Sequence, residues 1–514
     1  MSFMNSLKEE LNNELKFTEN GAVGYTTTGR SILDLNFSVT SLRNKNEREI
    51  EDKFVKAFYE DKLVAMKWLF YLRDREGIGE RRSFRIMMKY LASNHSEIAR
   101  AVLALIPEYG RFDDLWIFLD TELKDDVITL VKKQLNEDAK NMMENKPISL
   151  LSKWMASQNT SSFKTRQIAK VLRDGLGMTH KQYRKTLSKL RSYLKVVEVD
   201  MSAKRWENIN YSTVPSRANL LYNNAFLKND EERRRAYLAA LERGDKNVKI
   251  NASVLFPHDI VHKYIDNNGW YSLKVKAKDT ALEEMWKALP DYVQGQGNTI
   301  CVADGSGSMT TTVGGTKVTA LDVANALAIY FSERSSGQFK DNYITFSGRP
   351  KLVDFSKAKN LKEKIEIALR HDEVANTNIE AVFNLILKTA INKNMTQDEL
   401  PQNVLVISDM EFDAATYSSY SSYGRPKQTL FNTLAQKYAE YGYKLPRLVF
   451  WNVCSRTGTI PVKQNDLGVA LVSGFSPAIV KMVLSNSTDP YECLLEQLNT
   501  ERYKAVEEAV KDIV

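Results

Sequence analysis

CVADGSGSM, residues 301–309, is the stretch on which the fold of this chain turns. An apolar run ends on Asp304, and Gly then alternates with Ser so that Asp304, Ser306 and Ser308 occupy every second position. Alternate residues of an extended chain face the same side. A buried strand followed by such a loop therefore turns one carboxylate and two hydroxyls towards a single point.

The sequence beyond that stretch supports a strand there. From TICVADG onward, the β-rich apolar runs NYITFSG, NVLVISDMEF, KLPRLVFWNV and GVALVSGF alternate with helical ones such as VTALDVANALAIYFSER, NIEAVFNLILKTAI and TLFNTLAQKYAEYG. Strands separated by helices of that length predict a doubly wound parallel sheet covered on both faces. Ligands bind such a sheet outside the carboxyl ends of its strands, which is where Asp304 falls.

Upstream the pattern is helical. EIEDKFVKAFYEDKLVAMKWLFYLRDRE places Phe54, Val55, Phe58, Leu63, Met66, Leu69 and Phe70 at three- and four-residue spacing. Further short helices follow, punctuated by Gly77, Gly79, Pro107, Gly110 and Pro147. The expected fold class is multidomain α plus α/β. Residues 1–48 form an unassigned segment and 49–294 a solenoid of stacked helical hairpins, without a strict repeat period. Residues 295–488 form the α/β domain, and 489–514 a closing helix or helix pair.

Composition bounds the function. A chain of 514 residues exceeds what one core serves. No uncharged apolar run approaches the roughly 18 residues of a membrane span, and the N-terminal stretch lacks the apolar core of a signal peptide. Cys301, Cys454 and Cys493 are scattered through apolar segments, which suits a reducing compartment and argues against a disulfide framework or a cysteine-based zinc site. The expected location is cytoplasmic, or a virion if the source is viral. The net charge of +8 is unevenly spread. Residues 1–150 carry 23 Lys/Arg against 25 Asp/Glu, residues 151–250 carry 21 against 9, and residues 251–514 carry 28 against 30. One block of a hundred residues therefore holds an excess of +12, the footprint of a polyanion-binding face.

Two later loops add oxygen donors to Asp304, Ser306 and Ser308. Thr377 precedes a helix in NTNIEAVF, and Asp409 ends the apolar run NVLVISD. Two carboxylates and three hydroxyls, with no His or Cys beside them, compose an oxygen-only set suited to Mg²⁺ or another hard divalent cation. The set resembles the metal-ion-dependent adhesion site of the von Willebrand A domain, whose pattern is Asp-x-Ser-x-Ser, then Thr, then Asp on successive loops. Residues 304–308, Thr377 and Asp409 match it in order. The resemblance implies that Thr377 binds metal directly or through water and that Asp409 often acts through water. One departure is Ala375-Asn376-Thr377, where that family usually has Gly-Gly-Thr; it reduces backbone freedom beside the threonine.

FYLRDREGIGERRSFR (70–85), EYGRFDDLW (108–116), VPSRANLLYNNAF (214–226) and KINASVLFPHDIVHKYI (249–265), with the A-type domain behind them, resemble the Ro autoantigen class. These are ring-shaped RNA-binding proteins with a TROVE helical module. The region YRKTLSKLRSYLKVVEVDMSAKRWENINYSTVPSRA looks closer still to an uncharacterised plant and viral branch of that architecture. The resemblance implies that a basic outer segment takes structured RNA and that a central hole accepts single-stranded ends. Lys164, Arg166, Lys170, Arg173, His180, Lys181, Arg184, Lys185, Lys189 and Arg191 lie within 28 residues and could neutralise several phosphates. Lys170, Arg173, His180 and Lys181 come first, because Thr179-His180-Lys181 matches the family's Ser-His-Lys. Tyr183, Tyr193, Trp206, Tyr211 and Tyr222 could stack unpaired bases, although helical spacing makes most of them core.

No catalytic constellation stands out: GSGSM lacks the last Gly of G-x-S-x-G, and GGTK is no phosphate loop. The expected function is a non-enzymatic RNA-binding scaffold, a monomeric ring or part of a larger assembly, with no membrane role. The alternative is an interaction or assembly protein, such as a viral structural component, in which a partner's carboxylate completes the metal site.

Overall fold

A computed structural model of the chain describes residues 15–267, 273–294, 298–314, 316–346, 349–371, 378–412, 430–462, 468–480 and 489–514. Two compact units are formed. One consists of Met1–Asp61 with Ala252–Thr500, the other of Lys62–Asn251 with Glu501–Val514.

In the first unit two short antiparallel pairs, β1 (Leu15–Phe17) with β2 (Val23–Tyr25) and β3 (Ile265–Asn267) with β4 (Leu273–Val275), accompany a six-stranded sheet. The sheet strands are β5 (Thr299–Asp304), β6 (Asn342–Phe346), β7 (Leu352–Asp354), β8 (Asn403–Ser408), β9 (Arg447–Asn452) and β10 (Val469–Ser473), in spatial order β10-β9-β8-β5-β6-β7. Five pair in parallel, and β7 runs antiparallel along the β6 edge. Every residue of β5 and β10 is buried, as an apolar strand covered on both faces requires. The helix Ala320–Arg334 lies on β5, β6 and β8 and is buried on almost all sides. Ala320, Ala324, Ala326 and Ala328 let it approach closely. The chain leaves β5 for β6 on one side and later returns to β8 on the other, so the topology reverses between β5 and β8.

Residues 15–44, which show no periodicity, belong to this unit as a strap across its sheet. Tyr25 bridges Ile460, and Gly24 is needed there because a Cβ would meet the Ile460 carbonyl oxygen at 2.6 Å. The helix Ser31–Phe37 packs on β10, and Asn452 donates to the Phe37 carbonyl at 2.8 Å. The change of pattern near residue 295 is thus a change from helices to alternating elements inside one unit, not the place where the units part.

The second unit is helical. The stretch read as one amphipathic helix is two, Glu47–Glu60 and Lys62–Arg73, broken at the extended Asp61 where the chain passes from one unit to the other. The residues expected to close the fold also divide: Pro490–Leu498 lies in the first unit and Lys504–Val510 in the second. The latter is locked to Lys62–Arg73. Tyr503 packs at ring-centroid distances of 5.9 Å on both Tyr71 and Tyr109, and Lys67 meets Glu507 at 2.6 Å. Asp74, almost fully buried, accepts from Arg502 at 2.8 Å and 3.2 Å. No helix among the described residues is long and apolar enough to cross a membrane.

Arg502→Ala leaves the Asp74 carboxylate buried without its cation, and breaking such a pair costs about 3 kcal/mol. Urea unfolding of the variant reads that loss directly.

Candidate metal centre and basic face

Asp304 is the last residue of β5, and Ser408 ends its neighbour β8, one register step beyond the Ala303–Ile407 pair. The Ser408 hydroxyl donates to Asp304 at 2.7 Å. The other Asp304 oxygen accepts the Ser306 amide at 2.9 Å, which curls the loop back over the strand end. Ser306 and Ser308 hydroxyls lie 2.9 Å apart, and the Ser308 hydroxyl is close enough to Asp409 to favour its charged form. The two carboxylates and two hydroxyls of the expected set therefore converge at the reversal point of the sheet. Thr377, with Ala375 and Asn376, lies outside the described residues.

Both carboxylates are almost wholly withdrawn from water. Burial, then the charge of Asp409, pushes Asp304 up to about 7. Burial raises Asp409 as well, with Glu411 adding to it and Arg456 opposing. The Oδ2 atom of Asp409 has no hydrogen bond among the described residues, and the Arg456 guanidinium lies 3.5 Å from it. Two buried carboxylates and two hydroxyls short of positive charge fit a hard divalent cation.

The loop beyond is built to hold this geometry. Met410 adopts φ 65°, a left-handed conformation that a non-glycine residue takes only under constraint, and its amide donates to the Ser408 hydroxyl at 3.0 Å. Fully buried Glu411 accepts the Arg456 and Thr457 amides at 3.0 Å and 2.9 Å and the Glu19 amide at 3.0 Å. The Arg456 side chain reaches Glu19 at 2.8 Å and Asp409. Ser408, Glu411 and Arg456 were not among the expected site residues. Their contacts join segments up to some 400 positions apart, which local pattern does not register.

In the second unit the basic candidates fall on two consecutive helices, Phe163–Gly175 and His180–Tyr193. Ser162 caps the first, Gly177 at φ 67° turns the chain, and Thr179 with Gln182 forms a capping box on the second. Ala169 and Leu172 on one helix, and Tyr183, Leu187 and Leu190 on the other, face inwards. Gly175 meets the Lys124–Met143 helix so closely that a Cβ would lie 2.8 Å from Ile128. Lys164, Lys170, Lys181, Arg184, Lys185 and Lys189 are exposed, with no ion-pair partner among the described residues. Arg173 is held by Asp174 and the His180 ring, and Arg166 donates to the Thr160 and Ser161 carbonyls. Arg191 leaves the set: its guanidinium turns inwards to the Ser152 and Met155 carbonyls and the Ser157 hydroxyl, at 2.7–2.9 Å.

The named aromatics are mostly structural. Tyr183 and Tyr211 are buried, and the Tyr193 and Tyr222 hydroxyls bond Lys146 and Glu198. Half-buried Trp206 packs edge-on to Phe226. The exposed ring beside the basic helices is Phe163, 67% accessible, with the Arg166 guanidinium 6.0 Å from its centroid. Its position directly after the Ser161-Ser162 cap was the signal available in sequence.

Two family models match the chain, each described as a domain of unknown function: DUF2828 over residues 117–299 and DUF7788 over residues 298–512. They meet at the start of β5. The uncharacterized protein L728 of Acanthamoeba polyphaga mimivirus is 30% identical over 525 residues, covering 94% of this chain and 87% of its own. Among solved structures, the Ro (RSR) protein of Deinococcus radiodurans is similar over 91% of this chain and 94% of its own, at 15% identity and a TM-score of 0.44.

A group with the raised pKa of Asp304 contributes stability that is complete below the unfolded-state value near 4 and is lost as pH rises through about 7. With EDTA present, Asp304→Asn is therefore expected to flatten the fall in Tm between about pH 4 and about pH 7, and to melt above the native chain at the upper end. Thermal melts across that range measure it.

Proposed function

The chain belongs to the family of the uncharacterized mimivirus protein L728, and on that footing we propose that it is an RNA-binding scaffold carrying a divalent-cation site. The carrying observation is the face formed by Phe163–Gly175 and His180–Tyr193, where six exposed cations stand without acidic partners among the described residues. Such a face gains affinity from each phosphate it neutralises and from the counterions released. Phe163 adds an apolar ring on which a base can stack. The resemblance of residues 70–85, 108–116 and 214–226 to the Ro class points the same way.

The cation site belongs to the first unit. Asp304, Ser306 and Ser308 would hold Mg²⁺, with Thr377 and Asp409 completing the set directly or through water. When bound, the ion supplies positive charge to two buried carboxylates and an open position for an acidic ligand. This arrangement favours a second reading, in which a partner protein's carboxylate docks there and the chain acts in assembly, in the cytoplasm or in a particle. Both activities fit one molecule.

Replacing Lys170, Lys181, Arg184 and Lys185 by Glu is expected to abolish RNA binding at physiological salt. Replacing the same four by Gln lowers the slope of log K against log salt by about 3, taking about 0.7 per phosphate of a single strand. Unchanged affinity and slope in both variants would remove the RNA reading. For the metal, Mg²⁺ at about a hundred times its Kd adds about 2.7 kcal/mol to unfolding stability. Asp304→Ala should cancel that increment. Capture of a partner that is lost in EDTA or in Asp304→Ala tests the second reading separately.

A further inference from the structure

The second unit holds another concentration of positive charge, built from residues far from the basic helices in sequence. The loop after Lys62–Arg73 folds back on that helix: the Ile78 amide reaches the Tyr71 carbonyl at 3.1 Å and the Glu80 amide reaches Leu72 at 2.7 Å. This sets Arg81 at the start of the helix Arg82–Asn94, one turn before Arg85. Arg111 enters from the loop that precedes Phe112–Phe118.

Two aspartates serve this group, and their oxygens are spent. Asp114, with no exposed surface, accepts Arg73 at 2.7 Å and 2.8 Å, Arg85 at 2.6 Å and the Arg111 amide at 3.0 Å. Gly110 permits this closure, because a Cβ there would lie 2.6 Å from an Asp114 oxygen. Asp113 accepts Arg85 at 3.0 Å and Arg111 at 2.7 Å and 2.8 Å. Arg81 is left exposed with no ion-pair partner among the described residues. Partial desolvation, then Arg111 and Arg85, weaken its hold on its proton. Adjacent Glu80 is buried and accepts the Arg82 amide. Three guanidiniums thus share two carboxylates, with that of Arg81 near enough to feel both. The Arg111 guanidinium also lies 4.0 Å from the centroid of half-buried Trp154, whose carbonyl is held by Trp116 at 3.2 Å.

We propose that Arg81, backed by Arg85 and Arg111, is a phosphate-binding site separate from the basic helices. The aspartates fix the Arg85 and Arg111 guanidiniums in place beside the unbonded Arg81, leaving an excess of charge, which is the preparation a phosphate oxyanion needs. Because the Arg81 side chain bonds nothing in the fold among the described residues, it can be changed without disturbing that frame.

The test uses the full chain, with inorganic tripolyphosphate and a single-stranded oligouridylate as probes. Titration calorimetry gives each Kd for the native protein, for Arg81→Ala, for Arg81→Lys, and for the four-residue Gln variant of the basic helices. Arg81→Ala is expected to weaken at least one probe by fivefold or more with an unaltered melting curve. Arg81→Lys should recover part of the loss, and the four-residue variant should keep its tripolyphosphate affinity. Loss with the oligonucleotide alone identifies a phosphodiester strand as ligand, and loss with tripolyphosphate alone a free polyphosphate. Equal binding by native protein and Arg81→Ala on both probes overturns the proposal, as does a native chain that binds neither. A failure of the four-residue variant to lose RNA strikes the basic helices only.

Discussion

One carboxylate ends a strand of a parallel sheet, another follows directly on the end of the neighbouring strand, and both are cut off from water. Asp304 and Asp409 repel each other where low dielectric makes repulsion expensive, so everything around them works to contain that charge. Ser408 and Ser306 donate to Asp304, the Glu411 amide donates to Asp409, and Arg456 is brought to 3.5 Å from the remaining Asp409 oxygen. Arg456 is there because Glu411 gathers three backbone amides, one of them from the N-terminal strap. The strap, the strained Met410 and the 455–457 loop therefore serve one electrostatic problem.

The helical unit meets the opposite problem, a surplus of cations, in two ways. On Phe163–Gly175 and His180–Tyr193 the lysines project into solvent, where repulsion is screened and rotamer freedom is kept. At Asp113 and Asp114 the arginines are instead fixed by shared carboxylates. Flexible lysines suit a partner of variable shape, whereas fixed planar guanidiniums suit an anion of defined geometry.

Sequence pattern made the sheet legible because β5, β8, β9 and β10 are buried on both faces and so must be unbroken apolar runs. Edge strand β7, three residues long with two exposed, leaves no such trace. Residues 15–44 escaped for a related reason: their order comes from bonds to Phe412, Ile460 and Asn452, not from a period of their own. Asp61 breaks a helix without Gly or Pro, since a change of packing partner does what a breaker residue would. At the site, Asp304, Ser306, Ser308 and Asp409 were legible because spacing encodes loop geometry. Arg191 misled because a charged residue reads the same whether its donors face water or the carbonyls of Ser152 and Met155.

The interleaving of the two units bears on biosynthesis. Residues 62–251 leave the ribosome well before 501–514, yet Tyr71, Tyr109 and Asp74 receive their cover from Arg502 and Tyr503. Throughout translation of the intervening quarter-thousand residues, that apolar seat stands open to chaperones or to a neighbouring nascent chain. Premature termination beyond residue 251 would then release a polypeptide with a tacky helical half, and quality control has a physical handle by which to recognise it.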